Sequence, residues 1–274
     1  MADLPECKEL LLDRQGSRLY VTINRPEARN ALSNEVVEEL IAVVDAIASD
    51  RAVRTVILRG AGGTFCAGGD IKTFQQAFGS EAPTDGSKDP VAKVNRTFGD
   101  FLQKIEAMPQ TLVGVIEGAA FGGGLGLVCV TDVAIALADT KFSLSETSLG
   151  IPPAQIAPFV VKRVGLTTAR RLALTGTRFK GGEAQRLGLV HEVAADADEL
   201  EAKLTQVLKE IGKCAPGANA LTKRLLLNSL TEPLNAVLDA ASDDFAAQLR
   251  GPEGQAGVMA FLQKQPAPWV ETVE

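Results

Sequence analysis

The spacing of apolar residues switches between alternation and a helical period through most of the chain, then stays helical to the end. Residues 8–13 and 18–24 alternate as two strands around Arg14-Gln15-Gly16-Ser17, whose glycine suits a hairpin turn. Ser33 is placed to N-cap a helix reaching about residue 49, with Val36, Val37, Leu40, Ile41, Val44 and Ile47 near helical spacing. A β-rich run at residues 53–59 leads into a glycine-rich loop, 60–72, and helical signals resume over 71–77. Residues 79–90 hold glycines, prolines, serines and acids and read as a flexible loop over a pocket. A helix at 91–107, ended by Pro109, precedes a strand at 112–116 and a second glycine run, Phe121-Gly122-Gly123-Gly124-Leu125-Gly126.

Strand character returns at 132–138, and residues 142–150 form a short connection containing Glu146. Short helices are expected at 158–164, 167–175 and 180–188, with a last short strand at 189–193. From about residue 196 the pattern is helical throughout, with Pro216, Pro233 and Pro252 where new helices start. The chain thus reads as an α/β core over residues 1–200 and a helical region over 201–274.

Composition narrows the functional classes. With 28 basic and 34 acidic residues the net charge is −6, which argues against broad electrostatic binding of nucleic acid or an anionic membrane. Cys7, Cys66, Cys129 and Cys214 lie far apart, and His191 is the single histidine, so no metal site is expected and the thiols read as reduced packing residues. The N-terminus lacks an apolar signal core and no apolar run reaches 18 residues, so the expectation is a soluble, cytoplasmic protein.

The two glycine loops carry the candidate chemistry. Each follows a strand and precedes a helix, so the Gly69 and Gly123 N–H groups could flank one carbonyl oxygen as an oxyanion hole. Tight backbone packing would explain such clusters equally well. Neither loop has the G-x-x-x-x-G-K-[ST] or G-x-G-x-x-G spacing of a nucleotide site.

Asn24-Arg25-Pro26 through Leu32, Phe65-Cys66-Ala67-Gly68-Gly69-Asp70-Ile71-Lys72, Phe121-Gly122-Gly123-Gly124, and Ser145-Glu146 through Gly150-Ile151-Pro152 come in the order and spacing of the crotonase family. The resemblance to these enoyl-CoA hydratases and isomerases runs from near residue 8 to Phe261 and Lys264. It implies an α/β crotonase (ClpP-like) spiral of ββα units with a C-terminal helical trimerisation region, assembled as a homotrimer or a hexamer of two trimers. It also implies an acyl-CoA thioester substrate, whose coenzyme A makes a separate cofactor unnecessary. By the same resemblance Gly69 and Gly123 donate to the thioester oxygen. Ala28, Arg29, Ala67, Asp70 and Ile71 hold the coenzyme A moiety, joined by Phe261 and Lys264 of a neighbouring subunit. On the residues alone, Asp70 reads equally as a helix cap and Lys264 as a solvated end charge.

One position departs from the family pattern. The commonest hydratases carry a glutamate three residues after the middle glycine and another in the later loop, and this chain has Gly126 and Glu146. Single-glutamate members include double-bond isomerases and hydratases with a modified site. The surrounding residues, Ile156-Ala157-Pro158-Phe159 among them, resemble bacterial hydratases of 3-methylglutaconyl-CoA and isohexenylglutaconyl-CoA, which act in leucine and acyclic-terpene breakdown. That likeness makes Glu146 the principal acid/base of a hydratase acting on a branched glutaconyl-type thioester. A single-base enoyl-CoA isomerase and a non-catalytic acyl-CoA-binding protein are the other two readings.

Overall fold

The computed structural model describes residues 3–70, 75, 83–84 and 86–271. Strands β1 (Leu10–Gln15) and β2 (Arg18–Ile23) form the expected hairpin, with Leu10 opposite Ile23 and Gly16 at φ 63° in the turn. From β2 the sheet continues in parallel through β3 (Thr55–Gly60), β4 (Thr111–Ile116), β6 (Val133–Leu137) and β9 (Glu192–Ala194). A parallel sheet is covered on both faces, so its strands are apolar throughout and neighbouring side chains enter different layers. Val56 and Leu58 join the larger core with α1 (Asn34–Ile47) and α2 (Pro90–Ala107). Ile57, between them, packs with Val113, Val115 and Ile135 against Leu200, Leu204 and Leu208 of α6 (Ala197–Lys213).

Local signals explain the helix starts. Ser33 Oγ accepts from Val36 N at 3.4 Å at the start of α1, and Asp89 accepts from Val91 N at 2.7 Å ahead of Pro90.

A second, three-stranded sheet was not anticipated from the sequence. It contains β5 (Ala119–Phe121), β7 (Lys141–Ser143) and β8 (Arg178–Lys180), in the order β5-β7-β8. Single bridges extend its direction, Leu32 to Gly69 and Cys66 to Ala120. Strands of three residues show too little alternation to be recognised by period, and residues 142–150 accordingly resolve into the end of β7 and a single turn at Glu146–Leu149.

After β5 the chain enters α3 (Gly123–Cys129), buried along its whole length. The two stretches expected at 158–164 and 167–175 belong to one element, α4 (Ala157–Thr175), interrupted at Gly165 with φ 75° and ψ 158°. The helix expected at 180–188 is shorter, α5 (Gly181–Arg186), because Lys180 closes β8.

Three further helices form the tail: α7 (Pro216–Asn228), α8 (Leu234–Arg250) and α9 (Pro252–Leu262). Residue 200 falls inside α6, which belongs with the sheet by its packing. In the tail the Glu253 carboxylate accepts from Gly217 N and Ala218 N, each at 3.0 Å, and so caps α7 from the first turn of α9. Among the described residues no helix is long and apolar enough to cross a membrane.

Candidate active site

Backbone hydrogen bonds draw the first two loops together. Leu32 N donates to Gly68 O at 2.8 Å, Asp70 N to Leu32 O at 3.0 Å, and Ala67 N to Arg29 O at 3.0 Å. The buried Asn30, at φ 56°, receives Arg25 N on Oδ1 at 2.9 Å and donates through Nδ2 to Ala61 O and Thr64 O. Arg25 adds ion pairs to Glu9 at 2.7 Å and Asp70 at 3.1 Å. This lattice fixes the Gly68-Gly69 backbone before any ligand arrives.

The third loop approaches from the second sheet. Gly68, at φ +107°, lies so close to Phe121 that a Cβ would stand 3.0 Å from its carbonyl oxygen. A Cβ at Gly123 would lie 3.6 Å from Gly69 N, so the two glycine backbones are neighbours across the junction. Among the described residues neither Gly69 N nor Gly123 N donates a hydrogen bond. Gly123 opens α3, where such N–H groups have no intrahelical acceptor. Both glycines line a cavity of about 550 Å³.

Glu146 lines the same cavity from the turn after β7. A Cβ at Gly122, whose φ is +46°, would stand 2.7 Å from Glu146 Oε1, so a side chain at 122 would displace the carboxylate. Glu146 Oε2 is buried without a hydrogen-bond partner. Burial pushes the carboxyl above its ordinary pKa, opposed by a smaller contribution from its own backbone N–H. The turn is anchored from outside: Thr147 Oγ1 donates to Ala173 O of α4 at 2.8 Å. Two unused backbone donors and a carboxyl with one unpartnered oxygen, its pKa raised by burial, therefore share one apolar cavity. That arrangement suits stabilising an oxyanion while moving a proton.

Comparison with known proteins accords with this geometry, the enoyl-CoA hydratase/isomerase family model matching residues 13–272. The chain belongs to the enoyl-CoA hydratase/isomerase family. The solved structure of Pseudomonas aeruginosa AtuE is 52% identical, with a TM-score of 0.91, covering 96% of this chain and 100% of that one. A solved enoyl-CoA hydratase/isomerase from Marinobacter aquaeolei is 48% identical, with a TM-score of 0.92 and coverage of 97% and 100%. The 2,3-dehydroadipyl-CoA hydratase of Escherichia coli (strain K12) is 30% identical over 258 residues, 94% of this chain and 96% of the relative. The two-sheet spiral is the crotonase fold, and the chain is an enzyme of the enoyl-CoA hydratase type.

Of the residues that the family resemblance singled out, those within the described part of the chain fall into three groups. Gly69, Gly123, Glu146, Ala67 and Asp70 line the cavity. Ala28 ends a single turn at Pro26–Ala28, and exposed Arg29 follows at φ 50°, tied to Ala67 through the backbone. Phe261, 83% exposed, and Lys264, at φ 55°, stand at the end of α9 and do not line this cavity. Ile71 lies outside the described residues.

Gly126 proves to be more than a missing carboxylate. A Cβ there would lie 3.1 Å from Ile156 Cγ2 and 3.6 Å from Leu102 Cδ1, so apolar side chains fill the space beside it. Sequence reasoning also missed the cavity's side-chain wall, including Phe98, Leu149, Asn95 and Gln155. The available signal was Gly99, a glycine inside the 18-residue α2.

Proposed function

We propose that this enzyme adds water across an α,β-unsaturated acyl-CoA, with the thioester oxygen held between Gly69 N–H and Gly123 N–H and Glu146 as the principal acid/base. The observation that carries the reading is the buried, unpartnered Glu146 Oε2 in the same cavity as the two unused donors. Glu146 takes a proton from water as the hydroxyl oxygen bonds to the β-carbon. The electron pair of the double bond passes to the thioester oxygen, giving an enolate. The protonated Glu146 then delivers its proton to the α-carbon and the carbonyl re-forms, so one water is added and the carboxylate is regenerated. A carboxyl held above its ordinary pKa is suited to that second step.

The acyl group in this reading is of the branched glutaconyl type, as in 3-methylglutaconyl-CoA or isohexenylglutaconyl-CoA. Support comes from the apolar cavity and from Gly126, together with a relative named for 2,3-dehydroadipyl-CoA, the thioester of a dicarboxylic acid. Ala28, Arg29, Ala67, Asp70 and Ile71 cradle the coenzyme A part, completed by Phe261 and Lys264 of an adjoining subunit in a homotrimer or hexamer. Exposed Leu226, Leu230, Leu234, Leu238 and Phe245 support assembly through the tail.

Single-carboxylate chemistry also favours one alternative, double-bond isomerisation, in which Glu146 moves a proton between two carbons. The test is a panel of crotonyl-CoA, 3-methylglutaconyl-CoA, isohexenylglutaconyl-CoA and a 3-enoyl-CoA, with products weighed by mass spectrometry. Hydration adds the mass of water and isomerisation leaves the mass unchanged. A product of unchanged mass across the panel would overturn the hydratase reading.

A further inference from the structure

One polar side-chain pair interrupts the apolar wall between α2 and the turn that enters α4. Gln155 Nε2 donates to Asn95 Oδ1 at 2.9 Å, and both residues line the cavity that holds Gly69, Gly123 and Glu146. Their neighbours in the wall are Val94, Phe98, Leu149 and Ile151. Asn95 is exposed and Gln155 half-buried, so solvent reaches the pair, and its fixed geometry is what calls for an explanation.

Gly99 supplies part of it. A Cβ at Gly99 would overlap Gln155 Oε1 and stand 2.9 Å from Arg96 Nη1, so the Gln155 amide oxygen and the Arg96 guanidinium converge over this glycine. Glycine is costly inside a helix, and here it provides the seat for the Gln155 side chain. With Oε1 over Gly99, Gln155 directs its nitrogen at Asn95. Asn95 Oδ1 is thereby used as the acceptor. Its Nδ2 donors make no hydrogen bond among the described residues.

We propose that Asn95, oriented by Gln155, is a substrate-specificity residue that donates a hydrogen bond to an oxygen carried on the acyl chain away from the thioester. The inference rests on the acyl-CoA reading above and deepens it by naming what the distal part of the chain must offer. The described lining contains no lysine or arginine and includes the carboxylates of Glu38, Asp70 and Glu146. The recognised feature is therefore an acceptor oxygen, present alike in a carboxylate and in its methyl ester.

The experiment compares kcat/KM for 3-methylglutaconyl-CoA, its distal methyl ester and crotonyl-CoA in the full-length wild type, Asn95→Leu and Asn95→Asp. In Asn95→Leu the preference for either oxygen-bearing thioester over crotonyl-CoA falls about tenfold, mainly through KM. Asn95→Asp, close in size but without the donor, loses at least as much with the acid and less with the ester. Equal losses on all three thioesters, or an unchanged preference in Asn95→Leu, overturn the proposal while leaving the hydratase reading intact. A wild type that hydrates crotonyl-CoA and neither oxygen-bearing thioester overturns the glutaconyl assignment and this proposal together. Circular dichroism of both variants separates loss of fold from loss of recognition.

Discussion

By the family resemblance Glu146 and Gly126 stand where the commonest hydratases carry their two carboxylates, and the surroundings of the two residues differ sharply. Glu146 leaves a one-turn segment just after β7, half-buried, with one oxygen unpartnered in the cavity. Gly126 sits within α3, enclosed by Ile156 and Leu102. One place is shaped to hold a titrating group, and the other is packed as core. Apolar side chains fill the space beside Gly126, and the proposed proton transfer therefore rests on Glu146.

The most direct way to break this contrast is Glu146→Gln. It keeps the shape and removes the titrating proton, and it is expected to lower kcat by about 10²–10⁴-fold. Coenzyme A thioester binding, measured by calorimetry, remains. A kcat within a few-fold of wild type would remove Glu146 from the chemistry.

Gly126→Glu tests the opposite side. With Ile156 Cγ2 3.1 Å from the new Cβ, the variant is expected to lose about 3 kcal/mol in urea denaturation and to gain no hydratase activity. Adding Ile156→Ala should recover part of that stability by opening space. Full stability in the single variant would mean that apolar packing is not what excludes a carboxylate there.

Removing the outer anchor with Thr147→Val should lower kcat roughly threefold to tenfold, on the scale of one lost hydrogen bond, with Thr147→Ser restoring most of it. An unchanged kcat would show that the Glu146 turn holds its place without Ala173.

The mildest perturbation is pH. Because burial raises the Glu146 pKa, activity requiring its carboxylate should fall with decreasing pH from a point above the ordinary glutamate range. Linkage gives stability the opposite sign: the folded state binds this proton more tightly than the unfolded chain. Its contribution is fully present below the unfolded pKa and is lost as pH rises through the folded one. Glu146→Gln should therefore gain stability over wild type across that window, and identical pH–stability curves would show that the carboxyl titrates normally.

The same contrast marks what the sequence disclosed. Strands β1 to β4 and helix α1 were legible because six or more residues reveal a period, and Ser33 marks its helix start by residue type. Strands β5, β7 and β8 were hidden because three residues cannot show alternation. Glycine loops pointed to Gly69 and Gly123, and the family resemblance pointed to Glu146. Neither could reveal that Ile156 fills the space beside Gly126, or that Gln155 crosses to Asn95, since both depend on contacts between segments distant in sequence.

The Glu253 carboxylate has a mechanical consequence. It fixes the root of α9 to the amides that open α7, and α9 then runs 11 residues, roughly 16 Å at about 1.5 Å per residue. That rod carries Glu253 in its first turn and Phe261 in its last. The stretch beyond it is held as well, Arg54 Nη1 donating to Trp269 O at 2.6 Å and Trp269 Nε1 to Lys213 O at 3.1 Å, so α9 is a strut clamped on both sides rather than a free arm.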